Sequence, residues 1–125
     1  NEGAMDFQTQ SVGAEKLFEK VIRTVSAWGD TDQLMFVVGA TRAEELTHIR
    51  EIIPHHFLLI PGVGEQGGSL ADVSRFGMND AVGLLVNVSR QVIYAGSGLD
   101  FALAARAEAM QIQQQMADLL PHAAL

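Results

Sequence analysis

Three short runs, built almost entirely of apolar residues, constrain this chain most. They are Leu34-Met35-Phe36-Val37-Val38, Phe57-Leu58-Leu59-Ile60 and Leu84-Leu85-Val86-Asn87-Val88. Each is too short for a helix of its own and ends against glycine, proline or polar residues. Such runs read as strands buried on both faces. Between and around them apolar residues recur at helical spacing. The resulting order is helix, strand, helix, strand, short helix, strand, long helix. Alternation of that kind predicts an α/β fold with a parallel sheet and crossover helices.

The segments between the strands carry start and stop signals. Asn1 to Gln10 is polar and irregular and reads as loop. From about Val12 to Trp28, Leu17, Phe18, Val21, Ile22, Val25 and Trp28 form one apolar stripe, with Glu15, Lys16, Glu19, Lys20 and Arg23 opposite. Thr41-Arg42-Ala43-Glu44 matches a capping box, starting a helix that turns Leu46, Ile49 and Ile53 inward and stops at Pro54. Ser69 to Phe76 holds two helical turns, with Gly77 as C-cap. Ser97, with Asp100 at the third position, caps a last helix running to about Leu120. Its expected inner residues are Phe101, Ala104, Ala105, Ile112, Met116 and Leu119.

Composition narrows the function classes. The 125 residues form one domain or part of one, 1–125, and 48% hydrophobic content supports a packed core. A net charge of −7 argues against nucleic acid or an anionic membrane as partner, because no basic cluster exists to neutralise phosphates. A single phosphate held by one or two local groups is compatible with it. The chain has no cysteine, so disulfides and thiolate zinc sites are ruled out, and a cytoplasmic setting is the expectation. No apolar run reaches the ~20 residues of a membrane span, and the N-terminal stretch lacks signal-peptide character.

The second strand opens into Pro61-Gly62-Val63-Gly64-Glu65-Gln66-Gly67-Gly68, with four glycines in the seven positions from 62 to 68. Glycines there let the backbone take positive φ and approach a ligand closely. A strand that exits into such a loop can present N–H groups to an anion. Gly62 to Gly67 satisfies G-x-G-x-x-G, but Pro61 and the polar residues after Gly67 fit poorly with the helix that a dinucleotide fingerprint needs. The bland alternative is a tight strand-to-helix turn. Gln66 can donate its amide to a phosphate oxygen or simply face solvent.

Ser89-Arg90 follows the third strand directly, at the same end of the sheet as the glycine loop. Parallel α/β folds place ligands at that end, and barrels often bind phosphate beside a short extra helix after the last strands. Gln91 to Tyr94 can supply that turn, and the Arg90 guanidinium can grip a phosphate through two oxygens. An ordinary surface ion pair is the competing reading. His48, His55, His56 and His122 form no metal constellation and read as structural or surface residues.

Taken together, these motifs resemble one family. Val37-Val38-Gly39-Ala40-Thr41, Ile49-Arg50, Leu59 through Gly68, and Asn87-Val88-Ser89-Arg90-Gln91-Val92-Ile93-Tyr94-Ala95 are similar to orotidine 5′-phosphate decarboxylase of the longer bacterial type. Pro-Gly-Val-Gly-x-Gln-Gly-Gly is the specific stretch. The resemblance implies the C-terminal part of a TIM (β/α)8 barrel, strands six to eight with helices five to eight. It implies substrate phosphate binding by Gln66 and Arg90, with Gly68 and Ser89 in support, and Pro61 and Val63 near the pyrimidine and carboxylate pocket. The implied reaction converts orotidine 5′-phosphate to UMP and CO₂ without metal or cofactor.

The resemblance also implies a D-x-K-x-x-D array and a further lysine, and this chain departs from that pattern. Its only lysines are Lys16 and Lys20, both on the polar face of the first helix. No catalytic residue is therefore expected in this chain, and it is expected to be inactive alone. Three strands leave two open sheet edges. A missing N-terminal half-barrel or a second copy is the expected partner there. The alternative function is a non-catalytic half-barrel binding module for phosphorylated ligands; a dinucleotide-binding fragment ranks third.

Overall fold

A computed structural model describes residues 2–64 and 67–120. In chain order its elements begin with a 3₁₀ turn (Glu2–Ala4), helix α1 (Met5–Gln8) and a hairpin of β1 (Ser11–Val12) and β2 (Glu15–Lys16). Helix α2 (Leu17–Ser26), strand β3 (Met35–Val37), a 3₁₀ turn (Ala40–Arg42) and helix α3 (Glu45–Ile52) follow. Strand β4 (Phe57–Pro61), helix α4 (Leu70–Gly77), strand β5 (Leu84–Asn87), helix α5 (Arg90–Ile93) and helix α6 (Phe101–Leu119) complete it.

The expected parallel sheet forms, in the order β3-β4-β5. Met35 pairs with Phe57 and Leu58 with Leu84, so successive strands run in step and carry their loops to one end. The crossover segments α3 and α4 bury Leu46, Ile49 and Val73 against Leu58 and Ile60, the centre of the core. Burying such side chains contributes about 1.5–3 kcal/mol each.

The strands are not buried on both faces. Leu58 and Ile60 are fully enclosed, but Met35, Val37, Phe57 and Leu85 on the other face are exposed. The period-2 alternation of a strand sends neighbouring residues to opposite faces, and among the described residues the helices cover only one of them.

Several boundaries also differ from the sequence reading. Glu2 to Gln8 is helical rather than loop, with Thr9 Oγ1 donating to Met5 O at 2.6 Å. The first long helix starts at Leu17, because residues 11–16 turn back as a hairpin; Glu19 Oε2 accepts from Lys16 N at 2.8 Å and stops that end. Ile22 is its buried residue, while Val21 and Trp28 are exposed.

Thr41 makes no cap: a 3₁₀ turn intervenes and α3 begins at Glu45. Ser97 does not cap α6 either, since Asp100 precedes its first residue without a side-chain bond, and Phe101 is exposed. Ser69 does cap α4, its Oγ accepting from Asp72 N at 3.2 Å, while Gly77 is the last helical residue rather than the C-cap.

Candidate functional site: a cleft at the carboxyl ends of β4 and β5

Strands β4 and β5 end side by side, Pro61 paired with Asn87. Beyond them the chain turns sharply in both cases. Gly62 (φ 91°) and Gly64 (φ 86°) are in the left-handed region that favours glycine, which lets β4 fold straight into its loop. The loop closes on itself: Gly64 N donates to Gly68 O at 3.0 Å, Gly67 N to Gly64 O at 2.8 Å and Gly68 N to Gly62 O at 3.1 Å. Gly68 has no room for a side chain, since a Cβ there would overlap that of Ala40 and lie 2.6 Å from Gly62 O.

After β5 the chain passes through Ser89 into the single turn α5, where Val92 N and Ile93 N donate to Ser89 O. Ser89 Oγ donates to Asn87 Oδ1 at 3.1 Å. A cleft of about 90 Å³ lies between the two strand ends, lined by Pro61, Gly62, Val63, Asn87, Ser89, Arg90 and Gln91. Ligand pockets for whole small molecules usually measure ~300 Å³ or more. This cleft therefore matches one end of a ligand, the size of a single tetrahedral anion, rather than a nucleotide.

Four sequence-predicted residues, Pro61, Val63, Ser89 and Arg90, thus line one cleft. Among the described residues Arg90 has no ion-pair partner, and it is exposed. Gly68 does not line the cleft; it lies behind the loop with its amide already given to Gly62 O. Gln66 lies outside the described residues. Two lining residues, Asn87 and Gln91, were not singled out as site residues from sequence. Asn87 carried a signal, being the one polar residue in an apolar strand.

Neither lysine lines the cleft. Lys16 stands at the start of α2 with its Nζ 5.6 Å from the Phe18 ring centroid. Lys20 is exposed on α2. The helix after the glycine loop begins at Leu70, past the last glycine, so the G-x-G-x-x-G match does not open a helix as a dinucleotide fingerprint would.

The orotidine 5′-phosphate decarboxylase of Flavobacterium johnsoniae is 52% identical over 120 residues, covering 96% of this chain. That of Christiangramia forsetii is 54% identical over 120 residues, again 96% of this chain. Over nearly its whole length the chain is similar to part of an orotidine 5′-phosphate decarboxylase. It spans 44% of the length of each of these two decarboxylases.

Solved structures agree on the fold. The OMP decarboxylase of Leishmania donovani superposes with a TM-score of 0.71 at 31% identity, over 91% of this chain and 44% of that one. The UMP synthase of the same organism gives 0.72 at 33% identity, over 90% of this chain and 25% of that one. Its three parallel strands and their crossover helices are a portion of the family's β/α barrel. No family model matches the chain. No helix among the described residues is long and apolar enough to cross a membrane.

Proposed function

We propose that this chain is the phosphate-gripping portion of an orotidine 5′-phosphate decarboxylase, which converts orotidine 5′-phosphate to UMP and CO₂. The observation that carries the reading is Arg90: a guanidinium with no ion-pair partner among the described residues, on an anion-sized cleft at the carboxyl ends of two parallel strands. Ser89 and Asn87 add polar groups, and Pro61 and Val63 form the apolar wall toward the base. Gln66 is assigned to the same phosphate by family resemblance, with Gly68 shaping the loop behind it.

In the reaction the bond from C6 to the carboxylate breaks and a proton takes its place at C6. Neither Lys16 nor Lys20 lies on the cleft, so the proton donor belongs to residues beyond these 125. The exposed face carrying Met35, Val37, Phe57 and Leu85 would line the barrel interior, with the remaining strands added at the open edges of β3 and β5. Binding energy from the remote phosphate orients the substrate and can lower the barrier as well as KM.

The test is steady-state kinetics of the full-length protein with orotidine 5′-phosphate. Removing a charge-assisted grip corresponds to roughly 1.5–3 kcal/mol, about ten- to a hundredfold in kcat/KM. Arg90→Ala is expected to show that loss. Unchanged kinetics in Arg90→Ala, or turnover by the isolated 125-residue chain, would overturn the assignment.

A further inference from the structure

Gln91 lies next to Arg90 and lines the same cleft. Its two amide atoms face different elements. Nε2 donates to Glu108 Oε1 on α6 at 2.5 Å, a part-buried bond between residues 17 apart in sequence. Oε1 lies against the glycine loop, in space that a Cβ on Gly64 would fill. Gly64 is left-handed (φ 86°) and bonded to Gly68 O, so the backbone that Gln91 touches is the base of the loop carrying residues 65 and 66. Helix α5 is only four residues long, too short to hold its own direction.

We infer that Gln91, braced by Glu108, is a positioning residue that fixes the distance between Arg90 and the glycine loop. The inference rests on the phosphate-binding reading above. Glu108 orients the Gln91 amide, and the amide oxygen then supports the loop at Gly64, filling the space that a side chain there would take. Arg90, one residue away on the same turn, is held at a set separation from whatever the loop presents to the anion. A two-sided grip on one tetrahedral group depends on such separations to within about 0.5 Å.

The experiment measures dissociation constants of UMP and uridine for the full-length protein and four variants: Gln91→Ala, Glu108→Ala, Glu108→Gln and Arg90→Ala. One net hydrogen bond sets the scale at about three- to tenfold. Gln91→Ala and Glu108→Ala are expected to weaken UMP by that factor and leave uridine unchanged. Glu108→Gln keeps an acceptor for Nε2 and is expected to stay within twofold of the parent. Should Gln91→Ala fail to fold, the two Glu108 variants still decide.

Equal loss for UMP and uridine would mean a general structural role and would overturn the inference. So would parental UMP binding in Gln91→Ala and Glu108→Ala while Arg90→Ala binds weakly; in that case the phosphate reading survives. Parental UMP binding in Arg90→Ala overturns both.

Discussion

Arg50 Nε donates to the carbonyl oxygen of Gly77 at 2.6 Å, joining the last turn of α3 to the last residue of α4. The same guanidinium reaches His56 O at 2.6 Å and Gly83 O at 2.9 Å, at the starts of β4 and β5. Ile53 O and Pro54 O lie within 3.5 Å. One half-buried cation therefore ties together the end of the sheet opposite the cleft. It also stands where the helix dipoles favour positive charge. Burial pushes its pKa below the ordinary arginine value.

Replacing Arg50 should be among the most damaging single changes outside the apolar core. Arg50→Ala leaves several half-buried carbonyls without a charged donor and is expected to cost about 2–4 kcal/mol. Arg50→Lys should recover little, because a single ammonium cannot span Gly77, His56 and Gly83 as a planar fork does. Chemical denaturation of the full-length variants measures both, and loss of less than about 1 kcal/mol in Arg50→Ala would contradict the role.

Gly68→Ala should damage the site from behind. The added methyl meets the carbonyl oxygen of Gly62 at 2.6 Å and overlaps the Ala40 side chain, so backbone must move. Overpacking of this kind costs about 1–3 kcal/mol. Since Gly68 N is already bonded to Gly62 O, the shift should carry into the glycine loop and weaken UMP as well as lower the melting temperature. A variant with parental stability and parental UMP affinity would refute that coupling.

Much of this was legible in the sequence, and the failures have physical reasons. The apolar runs at 34–38, 57–60 and 84–88 announced three parallel strands, because only crossover helices can join strands so spaced. They could not announce that one face stays open: Val37 and Leu85 are as apolar as Leu58 and Ile60, and local composition does not record what covers a face. Pro61, Val63, Ser89 and Arg90 met at one cleft because the parallel register brings both strand ends to the same side. Arg50, Asn87 and Gln91 went unassigned as functional groups. The partners of Arg50 and Gln91 lie 27 and 17 residues away, through a carbonyl and a side chain that no motif marks, while Asn87 meets Ser89 only once the chain turns after β5. The expected caps at Thr41 and Ser97 had suitable residues, but α3 starts four residues after Thr41, beyond a 3₁₀ turn, and α6 four residues after Ser97.

Stability should carry a pH signature from His48. Its Nδ1 is 2.9 Å from Glu51 Oε2 and its Nε2 2.7 Å from Glu19 Oε1, joining α3 to α2. Hydrogen bonding to Glu51, then to Glu19, raises its pKa above the ordinary histidine value. A raised folded pKa means the stabilisation is fully present below about pH 6.5 and is lost as pH rises through the folded value. Glu19, held below its ordinary value mainly by the Lys16 amide, stays ionised at pH 5.5. His48→Gln should therefore lower the melting temperature more at pH 5.5 than at pH 8. The shift should be modest, because the imidazole is 47% exposed and solvent screens it. A larger loss at pH 8 would contradict the assignment.

A crystal structure of the full-length protein with UMP tests the central claim most directly. The account predicts phosphate oxygens about 2.7–2.9 Å from the Arg90 guanidinium, in the cleft between Pro61–Val63 and Ser89, with the Gln66 amide on the same phosphate. A phosphate bound elsewhere, or Arg90 and Gln66 opening onto separate pockets, would contradict it.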